Sequence, residues 1–177
     1  MMPHPLIEKY VAGNFEKVMA YIPQEIRWTL QLQALAFLKI PVLAFISPRV
    51  VTMTDERCEI KIPLARRNKN HLGSMYFAVQ AAGADCACGL AAFKLIDESG
   101  KKINLVFKDF QAEFLKRPDG DTHFICDEVQ AIRELVAKAA ATNERENLQV
   151  NVRATVPSKY GDEPVAVFKL TLSLKTR

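Results

Sequence analysis

Few residues in this chain combine a reactive type with a setting that would make them work, and Asp85 leads them. It is the only acid in residues 74–93, SMYFAVQAAGADCACGLAAF, a stretch that is otherwise almost wholly apolar. A carboxylate among apolar groups is costly to ionise unless it is paired or put to use. Desolvation raises its pKa and suits it to acid or base work near neutral pH. The alternative is a structural Asp that bonds a neighbouring backbone or a facing subunit. Just upstream, residues 66–71 read RRNKNH, with Gly73 following. Asn70 in such a loop either shapes a turn or offers a carboxamide to a water or a carbonyl. His71 is either an exposed loop residue or a substrate contact. Arg66, Arg67 and Lys69, with Lys116 and Arg117 further on, either stay solvated or meet the phosphates of an anionic ligand. Cys58, Cys86, Cys88 and Cys126 have neither zinc nor thioredoxin spacing and read as core residues, so no metal is expected.

The elements that must position these groups follow from periodicity. Residues 74–93 read as one buried helix. At 100° per residue Asp85 shares its face with Ala78, Ala81, Ala82, Cys88 and Gly89, all small, while Tyr76, Val79 and Leu90 lie opposite. A thin face admits a close backbone or a ligand. The stretch is too short, and too broken by Ser74, Gln80 and Asp85, to read as a membrane span.

Two helical segments come first, over residues 6–22 and from Pro23 to about residue 39, and residues 40–46 read as an apolar connector. This arm covers a sheet face or a subunit surface, or it lids an acyl pocket. From Val50 the period becomes two, giving a hairpin that turns at residues 55–57. After the helix, Ile103, Leu105 and Phe107 alternate. The parity then shifts to Phe110, Ala112 and Phe114, which predicts a bulge near Lys108-Asp109. Residues 122–126 form a short strand. Asp127 and Gln130 have capping-box spacing for a helix that ends near Asn143. Strands over residues 148–156 and 168–174 close the chain. The order describes an α+β protein with one antiparallel sheet wrapped around an apolar helix.

Composition narrows the classes. The 177 residues suit one folded unit with a sizeable core, and 49% hydrophobic with 25% charged residues is ordinary for a globular protein. A net charge of +4 without aromatics interleaved among the basic residues argues against nucleic acid but suits a small anion. Free thiols and no secretory signal suggest the cytoplasm.

The pattern resembles the hotdog fold of acyl-CoA thioesterases. Asn70-His71-Leu72-Gly73-Ser74-Met75-Tyr76 resembles the loop before the hotdog helix, written N-H-x-G-x-x-H. Asp85 falls nine residues after Tyr76, where the superfamily places its helix carboxylate, and residues 114–118, FLKRP, resemble the F-L-x-P ending of the following strand. The branch that looks most similar is the PaaI-like one. Tyr76-Phe77-Ala78 stands where characterised members carry His-Gly-Gly.

The resemblance implies an N-terminal helical arm over residues 1–42 and a hotdog domain over residues 43–177. It implies hydrolysis of an acyl thioester, with Asp85 and Asn70 catalytic. Asp85 would orient a water or attack the thioester directly, and the Phe77 N–H would polarise the carbonyl. His71, Gly73, Tyr76, Phe77, Arg66 and Arg67 would bind substrate. The ligand would be an acyl-CoA or acyl-carrier thioester, with coenzyme A as part of the substrate and no other cofactor. The protein would be a homodimer, with pairing of dimers into tetramers left open. A non-catalytic acyl-thioester or lipid-binding hotdog protein, its pocket closed by Tyr76 and Phe77, is the other reading.

Overall fold

The structure, a computed structural model, describes residues 21–142 and 144–177. The helix expected over residues 6–22 lies almost wholly outside them. Helix α1 runs Gln24–Lys39 and α2 runs Pro41–Ile46. Residues 40–46 are therefore no simple connector. Pro41 disfavours helix at the residue before it, so α1 stops, and the same proline then opens α2, where its missing N–H costs nothing.

Six antiparallel strands follow: β1 Arg49–Met53, β2 Cys58–Ile62, β3 Ile103–Phe114, β4 Thr122–Cys126, β5 Glu146–Thr155 and β6 Pro164–Thr176. They form one sheet in the order β1-β2-β4-β5-β6-β3. Alternation puts Ile60, Phe124, Val152 and Phe168 on the inner face. The β3–β6 register slips between Phe107 and Phe110, where the parity shift predicted a bulge.

The inner face wraps helix α3, Phe77–Glu98. It starts later than expected because residues 75 and 76 are held in the loop: the Met75 N–H donates to the Pro118 carbonyl and the Tyr76 N–H to the Asn68 carbonyl, each at 2.8 Å. The helix runs past Phe93 because Leu95 and Ile96 remain buried and Lys94 pairs with Glu98 one turn on, at 3.0 Å. Helix α3 is long and apolar enough to cross a membrane, but 67% of that apolar window is buried inside the fold. A Cβ on Gly83 would lie 2.4 Å from the Phe124 ring, so this glycine lets the helix sit directly on the sheet.

Helix α4, Val129–Thr142, packs Ile132, Leu135, Val136 and Ala139 into the core. Asp127 does not cap it; the carboxylate is taken by Arg57 and Arg153 in an ion-paired cluster. A short helix α5, Pro157–Tyr160, leads into β6.

The two sheet edges differ. On β1 the Val50 N–H donates to Thr29 Oγ1 of α1 at 2.9 Å, and Gln33 Nε2 donates to the Pro48 carbonyl at 2.6 Å. No such element covers β3 among the described residues. Phe110 and Phe114, stacked on Phe168, stay 44% and 50% exposed there.

Candidate functional site

The loop before α3 is built as a rigid unit. Asn68 is fully buried; its Nδ2 donates to the Ile46 carbonyl at 3.1 Å and the Pro63 carbonyl at 2.8 Å, tying α2 and the end of β2 together. Asn70 Oδ1 accepts from the N–H groups of Leu72 and Ser74, at 2.9 and 3.2 Å. Its oxygen shapes the turn, and its NH2 has no partner among the described residues. Gly73 has φ 79, a left-handed conformation that a side chain would strain. Arg117 reaches over from the end of β3, donating to Ser74 Oγ at 3.1 Å and the Leu72 carbonyl at 2.7 Å.

The remaining predicted substrate contacts cluster around this loop. His71 and Arg66 are exposed. Arg67 is already engaged, donating to Ser47 Oγ and lying 5.9 Å from the Phe45 ring centroid. It braces the arm to the loop as much as it offers charge. Tyr76 and Phe77 stack edge to face at 4.9 Å and are 45% and 58% exposed, so within this chain they fill no pocket. The N–H groups of Phe77 and Ala78 open α3 with no acceptor among the described residues. Helix starts leave such donors free and carry the positive end of the helix dipole.

Asp85 lies elsewhere. Eight residues of helix separate it from Phe77, about 12 Å along the axis. Ala78 is exposed and Ala81 and Ala82 are half-buried, so a thin strip leads from the helix start to the carboxylate; Cys88 turns into the core instead. Asp85 is half-buried; its backbone carbonyl accepts from Cys88 Sγ at 3.7 Å, while its carboxylate has no hydrogen-bond partner among the described residues. One oxygen lies over Gly89, where a Cβ would approach to 3.1 Å and would also meet Phe107 of β3 at 3.6 Å. Its other neighbours are Leu32 and Leu35 of α1 with Ile40 and Leu43 at α2, around a cavity of about 30 Å³. Burial among these groups pushes the Asp85 carboxyl up to about 6. The arm therefore lines the same cavity as Asp85, a proximity that periodicity could not reveal.

Two other features do not join this site. All four cysteines are buried, and desolvation pushes every thiol upward, as expected of core residues. A recess of about 490 Å³ lies on the outer face of the sheet, beside Asn151, Lys169 and the paired Asp127 and Arg153. It contains none of the predicted site residues.

A sheet in this order wrapped around one long helix is a hotdog fold. The chain matches the family described as a domain of unknown function, DUF4442, over residues 20–173, and belongs to it. Solved structures of the same fold include a protein of unknown function from Pseudomonas aeruginosa described as a probable thioesterase (20% identity, 84% of this chain and 96% of that one, TM-score 0.69). A mutant thioesterase from the same organism is 14% identical over 84% of this chain and 94% of its own, with TM-score 0.64. A thioesterase family protein from Silicibacter pomeroyi is 21% identical over 84% of this chain and 97% of its own, with TM-score 0.56. These likenesses establish the fold. Comparison with curated proteins gave no match.

Proposed function

We propose that the protein hydrolyses an acyl thioester, with Asp85 as the base. The observation that carries this is a half-buried carboxylate with no partner, held near neutral pKa beside a cavity the size of one water. A water there gives its proton to Asp85 as its oxygen attacks the thioester carbon. The tetrahedral oxyanion forms, the C–S bond breaks, and the proton passes to the leaving thiolate. The products are a carboxylic acid and a free thiol.

Unpaired N–H groups at a helix start are suited to hold the developing oxyanion. Those of Phe77 and Ala78 are about 12 Å from Asp85 of the same chain, too far for one carbonyl to meet both. A homodimer answers this, with Asp85 of one protomer facing the loop and helix start of its partner. The uncovered β3 edge, with half-exposed Phe110 and Phe114 beside it, is the surface for such pairing. The exposed Arg66 and a net charge of +4 suit an anionic thioester, of coenzyme A or of an acyl carrier.

The test is thiol release from a panel of acyl-CoAs by the wild type beside Asp85→Asn. General-base loss is expected to lower the rate by about 100-fold or more. Equal rates would remove Asp85 from the chemistry.

A further inference from the structure

Three spaces adjoin Phe93 of α3, each lined in part by α1. The first is the cavity of about 30 Å³ beside Asp85. The second, about 370 Å³, lies between Trp28 of α1 and the later turns of α3, and shares Leu90 and Phe93 with the first. The third, about 450 Å³, opens beyond Ile96 and shares Leu35 and Phe93 with the first. Phe93 is the one side chain that lines all three. It is 41% exposed, and none of the aromatic stacking pairs fixes its ring.

We infer that the seam between α1 and α3 takes the acyl chain of the substrate, with Phe93 as the gate that sets its length. The inference rests on the thioester reading for what lies at the Asp85 end. The walls supply the rest. Next to Asp85 the lining is aliphatic, from Leu32, Leu35, Ile40 and Leu43, which suits hydrocarbon rather than the polar pantetheine arm. From Asp85 to Phe93 the helix advances eight residues, about 12 Å, the span of a medium-length unbranched chain. The far openings carry charges of both signs, Lys94 with Asp97 and Glu98 in one and Asp97 with Lys101 and Lys102 in the other, so a phosphate finds no uniformly basic pocket there. With Phe93 across the junction, the space beside Asp85 holds a water and no chain. Rotation of this half-exposed ring joins the three spaces into one channel.

The test compares wild type with Phe93→Ala on acetyl-, hexanoyl-, decanoyl- and hexadecanoyl-CoA. Each methylene newly accommodated is expected to strengthen binding roughly fourfold, so the ratio of kcat/KM for decanoyl over hexanoyl should rise about tenfold or more in the variant. An unchanged chain-length profile overturns the inference. Trp28 is the sole tryptophan and lines the second space, so it reports occupancy without turnover. S-Decyl-CoA, a thioether that cannot be hydrolysed, should shift Trp28 emission and bind about tenfold more tightly to Phe93→Ala. If the wild type hydrolyses no thioester, the catalytic reading fails and this titration still decides the channel. Tighter binding with a Trp28 response supports it; equal affinity or silent Trp28 emission refutes it. Because Phe93 is half-exposed, the variant should fold, and its thermal melt beside wild type verifies that.

Discussion

Replacing Asp85 by Asn should make the protein more stable at about pH 8 and leave its stability nearly unchanged at about pH 4. The carboxyl is raised from an ordinary value of 3.8 to about 6 by desolvation alone. Between those two values the folded protein holds a proton that the unfolded chain has lost, and stability falls with pH wherever the native state binds more protons. The favourable contribution of the protonated acid is complete below about pH 4 and is gone once the pH passes about 6. A shift of roughly two units corresponds to about 3 kcal/mol, and partial solvent access to this half-buried group reduces it to about 1–3 kcal/mol. Asn has the shape of the protonated acid and carries no charge, so it removes the penalty without a new cavity. For a chain of this size each kcal/mol moves Tm by about 2–4 °C, giving a rise of roughly 2–12 °C near pH 8. Paired thermal melts of the two proteins at about pH 4.5, 6 and 8 read the difference directly. A Tm difference that stays the same across pH, or a variant less stable than wild type near pH 8, would show that the carboxylate is not held at a desolvation cost. Stability regained together with activity lost is the pattern of a group kept for function.

The same carboxyl sets the acid limb of the rate. Thioester hydrolysis by the wild type should fall about tenfold per pH unit below about pH 6, and a flat kcat/KM profile between about pH 5 and 8 would exclude Asp85 as the base. Gly83→Ala tests the contact between helix and sheet: a Cβ 2.4 Å from the Phe124 ring should cost more in overpacking than the roughly 1 kcal/mol gained in helix propensity. A net loss of about 1–2 kcal/mol is expected in urea unfolding, and a gain in stability would mean that α3 sits further from the sheet.

Local pattern carried most of the architecture. Strand β5 alternates from Glu146 to Ala154, and the bulge in β3 shows as a one-residue change of parity, because a half-buried strand must keep one face inward. Residues 41–46, PVLAFI, show no such period, and a short apolar run reads equally as connector, strand or helix. Asp127 had the right spacing to cap α4, but its partners are Arg57 and Arg153, 70 and 26 residues away in sequence. Asn68 stood unnoticed in a basic loop for the same reason, since Ile46, one of the two residues its side chain holds, lies 22 positions earlier. Gly83 and Gly89 look alike in the sequence and do different work: one admits the Phe124 ring, the other leaves room for the Asp85 carboxylate. The spacing marked Asp85 as the odd residue of its helix, while the roof over it comes from residues some 40 to 50 positions upstream that only folding brings near.

That roof ties the arm to the proposed assembly. Thr29 of α1 takes the Val50 N–H of β1 and Gln33 takes the Pro48 carbonyl just before it, so α1 lies along that edge of the sheet. The other edge, β3, is left open among the described residues and carries Phe107, whose ring would lie 3.6 Å from a Cβ on Gly89. One element thus lines the space beside Asp85 and lies along the β1 edge, and in the proposed assembly a partner pairing along β3 would arrive at the strand whose Phe107 lies near Gly89. The separation of about 12 Å between the helix start and Asp85, an obstacle for a single chain, would in the proposed two-fold dimer be the spacing that lets each protomer supply the half its partner lacks.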